Sequence, residues 1–94
     1  MKISRKFRVC GKVQGVFFRA SAKQQADCLG LTGWIRNCEN GDVEGLVSGE
    51  AEAVSAMMNW LAEGPRMARV DKLTVSDCDL QSFTNFVVGE TSSA

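Results

Sequence analysis

The sequence alternates between helix-like and strand-like periods, and this order constrains the fold more than any other feature. Two stretches carry apolar residues at the spacing of one helical face. The first stripe comprises Phe18, Ala22, Ala26 and Leu29, and the second comprises Val54, Met57, Met58 and Leu61. We expect Gly30 to end the first helix, and Gly64 with Pro65 to end the second.

Runs typical of strands lie before, between and after these helices. They cover residues 3–9, 31–37, 43–47, 70–75 and 83–88. Asn40 and Gly41 favour a hairpin between the second and third runs, since both residue types tolerate positive φ. The order predicts an α+β, ferredoxin-like βαββαβ sandwich plus a final strand. Both helices are expected on one face of a mostly antiparallel five-stranded sheet.

Composition limits the partners of this fold. The chain has 94 residues, 45% of them apolar and 23% charged, which predicts one globular domain over 1–94 with a flexible tail at 89–94. Eleven basic and eleven acidic residues cancel, so neither a nucleic-acid nor a membrane partner is expected. With no apolar run of about 18–20 residues and no signal-peptide pattern, we expect a cytoplasmic, soluble protein.

The chain has no histidine, which removes the commonest general base and the commonest metal ligand. Ser-His, Cys-His and His-metal constellations are therefore excluded. The four cysteines are scattered without a CxxC pair, so we expect free thiols and no metal site. They are Cys10, Cys28, Cys38 and Cys78.

The segment 11–19, GKVQGVFFR, links the first strand to the first helix through two glycines and ends in an arginine. Glycines allow successive backbone N–H groups to turn toward an anion, and a helix N-terminus adds partial positive charge. Arg19 would add a planar fork of donors that matches phosphate. The segment thus predicts a phosphate cradle. Taken alone, it is equally compatible with a tight turn, a solvated Arg19 and core phenylalanines.

Asn37 ends the second strand just before the hairpin. A carboxamide can accept from a water and donate to a developing oxyanion. The alternative is that Asn37 only caps the hairpin. Cys38 follows it and Cys10 ends the first strand; both are interpreted as small space-filling residues, with thiol oxidation near the site as the alternative.

Together, these segments resemble the acylphosphatase family, whose signatures are GxVQGVxFR and GLxGWVxNxxxGxVEG. The first is matched by Gly11, Val13, Gln14, Gly15, Val16, Phe18 and Arg19. The second is matched by Gly30, Leu31, Gly33, Trp34, Asn37, Gly41, Val43, Glu44 and Gly45. The later GPRMARVDKL and FTNFVV are also similar to the family, so the resemblance covers essentially the whole chain.

The resemblance implies a metal-free and cofactor-free hydrolase of acid anhydrides that cleaves acyl phosphates to a carboxylate and inorganic phosphate. The phosphate-binding set that it implies is Gln14, Gly15, Val16, Phe17, Phe18 and Arg19, through the backbone N–H groups of 14–18 and the Arg19 side chain. Arg19 and Asn37 are the implied catalytic residues, with Asn37 orienting the water.

Two other functions are weighed against this one. An RNA-binding module of the RRM type shares the topology, but the chain lacks tyrosine and the basic-Gly-aromatic-Gly run of such domains. An anion sensor without turnover would keep the same cradle, and only an assay separates it from an enzyme. The family's domain also occurs inside larger proteins that handle carbamoyl phosphate; at this length we expect the standalone form.

Overall fold

The computed structural model describes residues 1–91, and these residues form five strands and two helices in the predicted order. The elements are β1 Lys2–Lys12, α1 Phe18–Leu29, β2 Thr32–Asn37, β3 Val43–Glu50, α2 Ala51–Glu63, β4 Arg69–Cys78 and β5 Phe86–Val88. Within the same residues, no helix has both the length and the apolar character that crossing a bilayer requires. Residues 92–94 of the predicted tail lie outside the described residues.

The strands form one sheet in the order β4-β1-β3-β2-β5. β1 is antiparallel to both β3 and β4, and β2 is antiparallel to β3. β5 pairs with the outer edge of β2 in parallel, with Gly33 opposite Phe86. The predicted ferredoxin-like α+β fold with a mostly antiparallel sheet is therefore confirmed.

Both helices pack on the same core, which lies on one face of the sheet. From α1 the buried residues are Phe18, Ala22 and Ala26, and from α2 they are Val54, Met57 and Leu61. The sheet contributes Phe7, Val9, Ile35, Val43, Val47 and Phe86. The apolar stripes predicted from the sequence are therefore buried, apart from Leu29 and Met58, which are only partly buried at the edge of the core.

Gly30 ends α1 as predicted. Its backbone is left-handed, with φ 71°, and its N–H donates to the Asp27 carbonyl while that of Leu31 donates to Ala26. The hairpin at 38–42 is also present, but only Gly41 adopts a positive φ, of 98°. Asn40 instead accepts a hydrogen bond from the Asp42 N–H through its side chain, a turn that asparagine forms readily.

Several element boundaries differ from the prediction, and two of the differences have a clear structural cause. β1 continues through Gly11, which lies at a bulge against β4 where a Cβ atom would meet the carbonyl oxygen of Arg69. Gly11 thus serves the strand and not the loop that follows. β5 begins at residue 86 and not at 83, because residues 79–85 carry the chain from one edge of the sheet to the other. On the way, the N–H of Gln81 donates to the buried Ser4 hydroxyl.

Candidate active site

The loop that joins β1 to α1, residues 13–17, has a backbone shaped by two left-handed residues. Gly15 has φ 74° and Phe17 has φ 60°, and Phe17 is the N-cap of α1. Between them, Val16 is buried in the core, as is Val13 at the start of the loop. The valines anchor the loop from below, while the left-handed residues turn its peptide groups.

This loop leaves its backbone donors unused. Within residues 1–91, none of the N–H groups of residues 14–18 donates to a protein acceptor. The N-cap of α1 makes no side-chain hydrogen bond, and its first turn carries no acidic residue. The usual partners of a helix N-terminus are thus absent, and the free N–H groups create a positive potential suited to an anion.

Arg19 lies in the first turn of α1 and projects beside this loop. Its Nη1 donates to the carbonyl oxygen of Gly89 at 3.4 Å, and the N–H of Gly89 donates in turn to the Ile35 carbonyl at 2.7 Å. In the described part of the chain, no carboxylate lies within 4 Å of the guanidinium. Arg19 is therefore held in place by one neutral contact, and most of its five N–H donors remain available.

Asn37 is the last residue of β2, and it shares the helix-facing side of that strand with Ile35. Its side-chain Oδ1 is buried and accepts no hydrogen bond from any residue in the range 1–91. A buried acceptor without a donor costs about 1–3 kcal/mol, so it calls for an explanation in what the group does.

The side chain of Gln14 connects the loop to the strand that carries Asn37. Its Nε2 donates to the carbonyl oxygens of Cys38 at 2.8 Å and Asp42 at 2.9 Å, at the two ends of the β2–β3 hairpin. The loop is therefore hydrogen-bonded to Cys38, which follows Asn37. Arg19 is linked through Gly89 to Ile35, two residues before Asn37. Sequence reasoning missed both ties, because the acceptors are backbone carbonyls that carry no sequence signal.

A cavity of about 320 Å³ opens beside the loop. Its lining residues are Val13, Gly15, Phe17, Phe18, Arg19, Ala20 and Val88. Four members of the predicted phosphate-binding set thus line one cavity. Gln14, Val16 and Asn37 do not line it: Gln14 faces the hairpin, Val16 faces the core, and Asn37 lies at the neighbouring strand end.

On the face of the sheet opposite the helices, ion pairs stabilise the hairpin. Arg8 bonds to Asp42 at 3.1 Å and to Glu44 at 2.8 Å, and Arg36 bonds to the same Glu44 at 2.7 Å while lying over the Trp34 ring. Burial acts to raise the pKa of Asp42, but hydrogen bonds from Arg8 and others outweigh it and lower that pKa. The hairpin therefore carries a carboxylate that stays ionised at neutral pH.

The two thiols near the site are poorly suited to nucleophilic chemistry. Cys38 is buried, and burial raises its pKa; the pKa of the partly buried Cys10 is raised chiefly by the same cause. Both are free thiols. A protonated, buried thiol is unreactive, which supports the interpretation that they fill space.

Comparison with known proteins gives a consistent picture. Residues 5–88 match the family model described as Acylphosphatase. An acylphosphatase of Pseudomonas paraeruginosa is 50% identical over 80 residues, which is 85% of this chain and 88% of that protein. The solved structure of an acylphosphatase from Coxiella burnetii superposes with a TM-score of 0.91 at 38% identity, covering 94% of this chain and 93% of that one. For the acylphosphatase of Bacillus subtilis the TM-score is 0.89 at 29% identity, covering 95% and 99%.

The Gln14 contacts predict that this side chain positions the loop. Gln14→Ala removes two hydrogen bonds and should lower the free energy of unfolding by about 1–3 kcal/mol, measured by urea denaturation. Gln14→Glu should be worse at neutral pH, because a carboxylate would face two carbonyl oxygens. Gln24→Ala makes the same chemical change on the exposed face of α1 and is the control. Equal stabilities of the Gln14→Ala and Gln24→Ala variants would contradict this role.

Proposed function

The chain belongs to the acylphosphatase family, and we propose that its 14–18 loop, Arg19 and Asn37 carry out the hydrolysis of acyl phosphates. The enzyme cleaves the carboxyl-phosphate bond to give a carboxylate and inorganic phosphate. The loop N–H groups and Arg19 bind the phosphate, and Asn37 orients the attacking water. Residues 14–18 act through their backbone, so their side chains are free to serve the core and the hairpin.

One observation carries this assignment of roles: unused donors and an unused acceptor lie at the same end of the sheet. The donors are the N–H groups of the loop and the guanidinium of Arg19, and the acceptor is Oδ1 of Asn37. The oxygens of a bound phosphate accept hydrogen bonds from these donors. A half-turn of the Asn37 carboxamide exchanges its Oδ1 and Nδ2 positions, so either atom can meet a water beside that phosphate.

The reaction then needs no protein base. The water oxygen attacks phosphorus, the bond between phosphorus and the acyl oxygen breaks, and the carboxylate leaves with the electron pair. A carboxylate is a weak base, so its departure needs no general acid, and the bound phosphate takes the proton of the water. Catalysis rests on positioning and on charge stabilisation, the usual means in phosphoryl transfer. This accounts for a site without histidine.

We propose that the reaction proceeds without a metal ion or other cofactor, since Arg19 and the loop N–H groups supply the positive charge that phosphoryl transfer requires. We also propose that the protein acts in the cytoplasm as a monomer on a small-molecule acyl phosphate. Its balanced charge of eleven basic and eleven acidic residues supports the absence of a nucleic-acid or membrane partner.

Asn37→Ala should lower kcat for benzoyl phosphate by about 10²–10³, equivalent to about 2.7–4 kcal/mol, because it removes a preorganised group that acts in the transition state. Phosphate release by the purified protein is the measurement. Asn59→Ala makes the same change on the exposed face of α2 and should leave kcat unaltered. If the folded Asn37→Ala variant retains the wild-type kcat, Asn37 has no catalytic role and only caps the hairpin.

Arg19→Ala should reduce kcat/KM more than Asn37→Ala does, since it removes phosphate binding and transition-state stabilisation together. Arg19→Lys should not restore activity, because a point charge cannot reproduce the planar fork. The assay is run in excess EDTA, in which the wild type should keep its full rate. The matched control is Arg66→Ala, an exposed arginine in the turn after α2. Near-wild-type turnover by either Arg19 variant would overturn the assignment, and loss of wild-type activity in EDTA would overturn the metal-free reaction.

A further inference from the structure

Phe17 is unfavourably placed if only folding is considered. Its side chain is 80% exposed, and its backbone is left-handed at φ 60° and ψ 24°. Among residues 1–91 it is the only non-glycine residue with a positive φ. A bulky L-residue rarely adopts this conformation, and here no burial of the ring offsets it. Such placements occur where a protein holds a side chain ready for a ligand.

The cavity beside Phe17 has two chemically different parts. Among residues 1–91, Arg19 is the one charged residue that lines it, and Gly15 contributes only backbone atoms. The other side chains that line it are apolar, and they belong to Val13, Phe17, Phe18, Ala20 and Val88. The volume of about 320 Å³ is at the small end of the range for ligand sites. A ligand that fits it has an anionic end against Arg19 and a small apolar body.

We infer that Phe17, with Ala20 and Val88, forms an acyl-binding wall that makes the enzyme selective for acyl phosphates with an apolar acyl group. This inference rests on the proposed function, because phosphate bound by the loop and Arg19 places the acyl group in the same cavity. Aromatic and branched aliphatic acyl groups are favoured. Small or charged acyl groups leave the wall unused, and a carboxylate on the acyl group loses its hydration against it.

The position of Phe17 in the sequence pattern fits a role in selectivity. The flanking residues of the loop are constrained by their own tasks: Val16 and Phe18 are buried, and Arg19 is the phosphate ligand of the proposed function. The side chain of Phe17 takes part in neither core packing nor phosphate binding, so it can change without loss of the phosphate-binding loop. An exposed ring can gain contact area with a ligand at little conformational cost, since it has only two side-chain torsions.

The test compares kcat/KM for acetyl phosphate, isobutyryl phosphate and benzoyl phosphate in the wild type, Phe17→Ala, Phe17→Leu and Phe17→Gly. Dividing each variant's value by the wild-type value for the same substrate cancels the substrates' intrinsic reactivities. For Phe17→Ala, kcat/KM should fall at least about fivefold more for benzoyl phosphate than for acetyl phosphate. The loss should appear mainly in KM, because the wall contacts ground and transition states alike. Phe17→Leu should retain part of the preference.

Phe17→Gly separates selectivity from the backbone conformation, because glycine adopts φ 60° without strain. This variant should unfold at a higher urea concentration than Phe17→Ala and yet lose the benzoyl preference to the same extent. If both variants keep the wild-type ratio of benzoyl to acetyl phosphate, Phe17 does not select the acyl group, and the proposed function stands. If the wild type hydrolyses none of the three substrates, the proposed function fails and this inference fails with it.

Discussion

The antiparallel register at Val43 of β3 is the constraint on which the rest of the site depends. Val43 pairs with Val9 of β1 on one side and with Asn37 of β2 on the other. β1 and β2 therefore lie about two strand spacings, roughly 10 Å, apart at Val9 and Asn37, and the loop that follows Lys12 starts on the β1 side of this gap. Gln14 spans this gap by bonding to the carbonyls of Cys38 and Asp42. A slip of one residue would turn Val9 and Phe7 out of the core as well as separate loop and hairpin, so core packing and site geometry enforce the same register.

The absence of a carboxylate beside it among the described residues, and not the net charge of the chain, distinguishes Arg19 from the arginines on the sheet. All four arginines on the sheet pair with carboxylates: Arg5 with Asp77, Arg8 with Asp42 and Glu44, Arg36 with Glu44, and Arg69 with Asp71. In the part of the chain that the structure describes, the one hydrogen bond of the Arg19 guanidinium is to the carbonyl of Gly89. Its full charge adds to that of the α1 N-terminus, whose first turn has no acidic residue. A chain with no net charge can therefore still present a strongly positive site to a phosphate.

Much of this architecture follows from the sequence, because local signals agree with the tertiary structure. The apolar stripes predict both helices, Gly30 marks the end of α1, and the GKVQGVFFR segment predicts the link from strand to helix with Arg19 in the first helical turn. The parts that could not be predicted depend on distant backbone. The parallel pairing of β5 with β2 joins residues 53 positions apart in sequence. The contact from Arg19 to Gly89 joins residues 70 positions apart through a backbone carbonyl group. Likewise, the sequence places Gly11 in the loop, and only the position of β4 against it shows that it belongs to the strand.

We propose that the loop and Arg19 together form the phosphate site. Titration of inorganic phosphate into the ¹⁵N-labelled protein, followed by amide NMR, tests it most directly. We expect saturable shifts with a common Kd at the N–H groups of Gly15, Val16, Phe17 and Phe18 and at Nε of Arg19. These shifts should vanish in Arg19→Ala and persist in Arg66→Ala. Saturable binding that survives Arg19→Ala, or that shifts the Arg8 and Arg36 side of the sheet in place of the loop, would contradict the account.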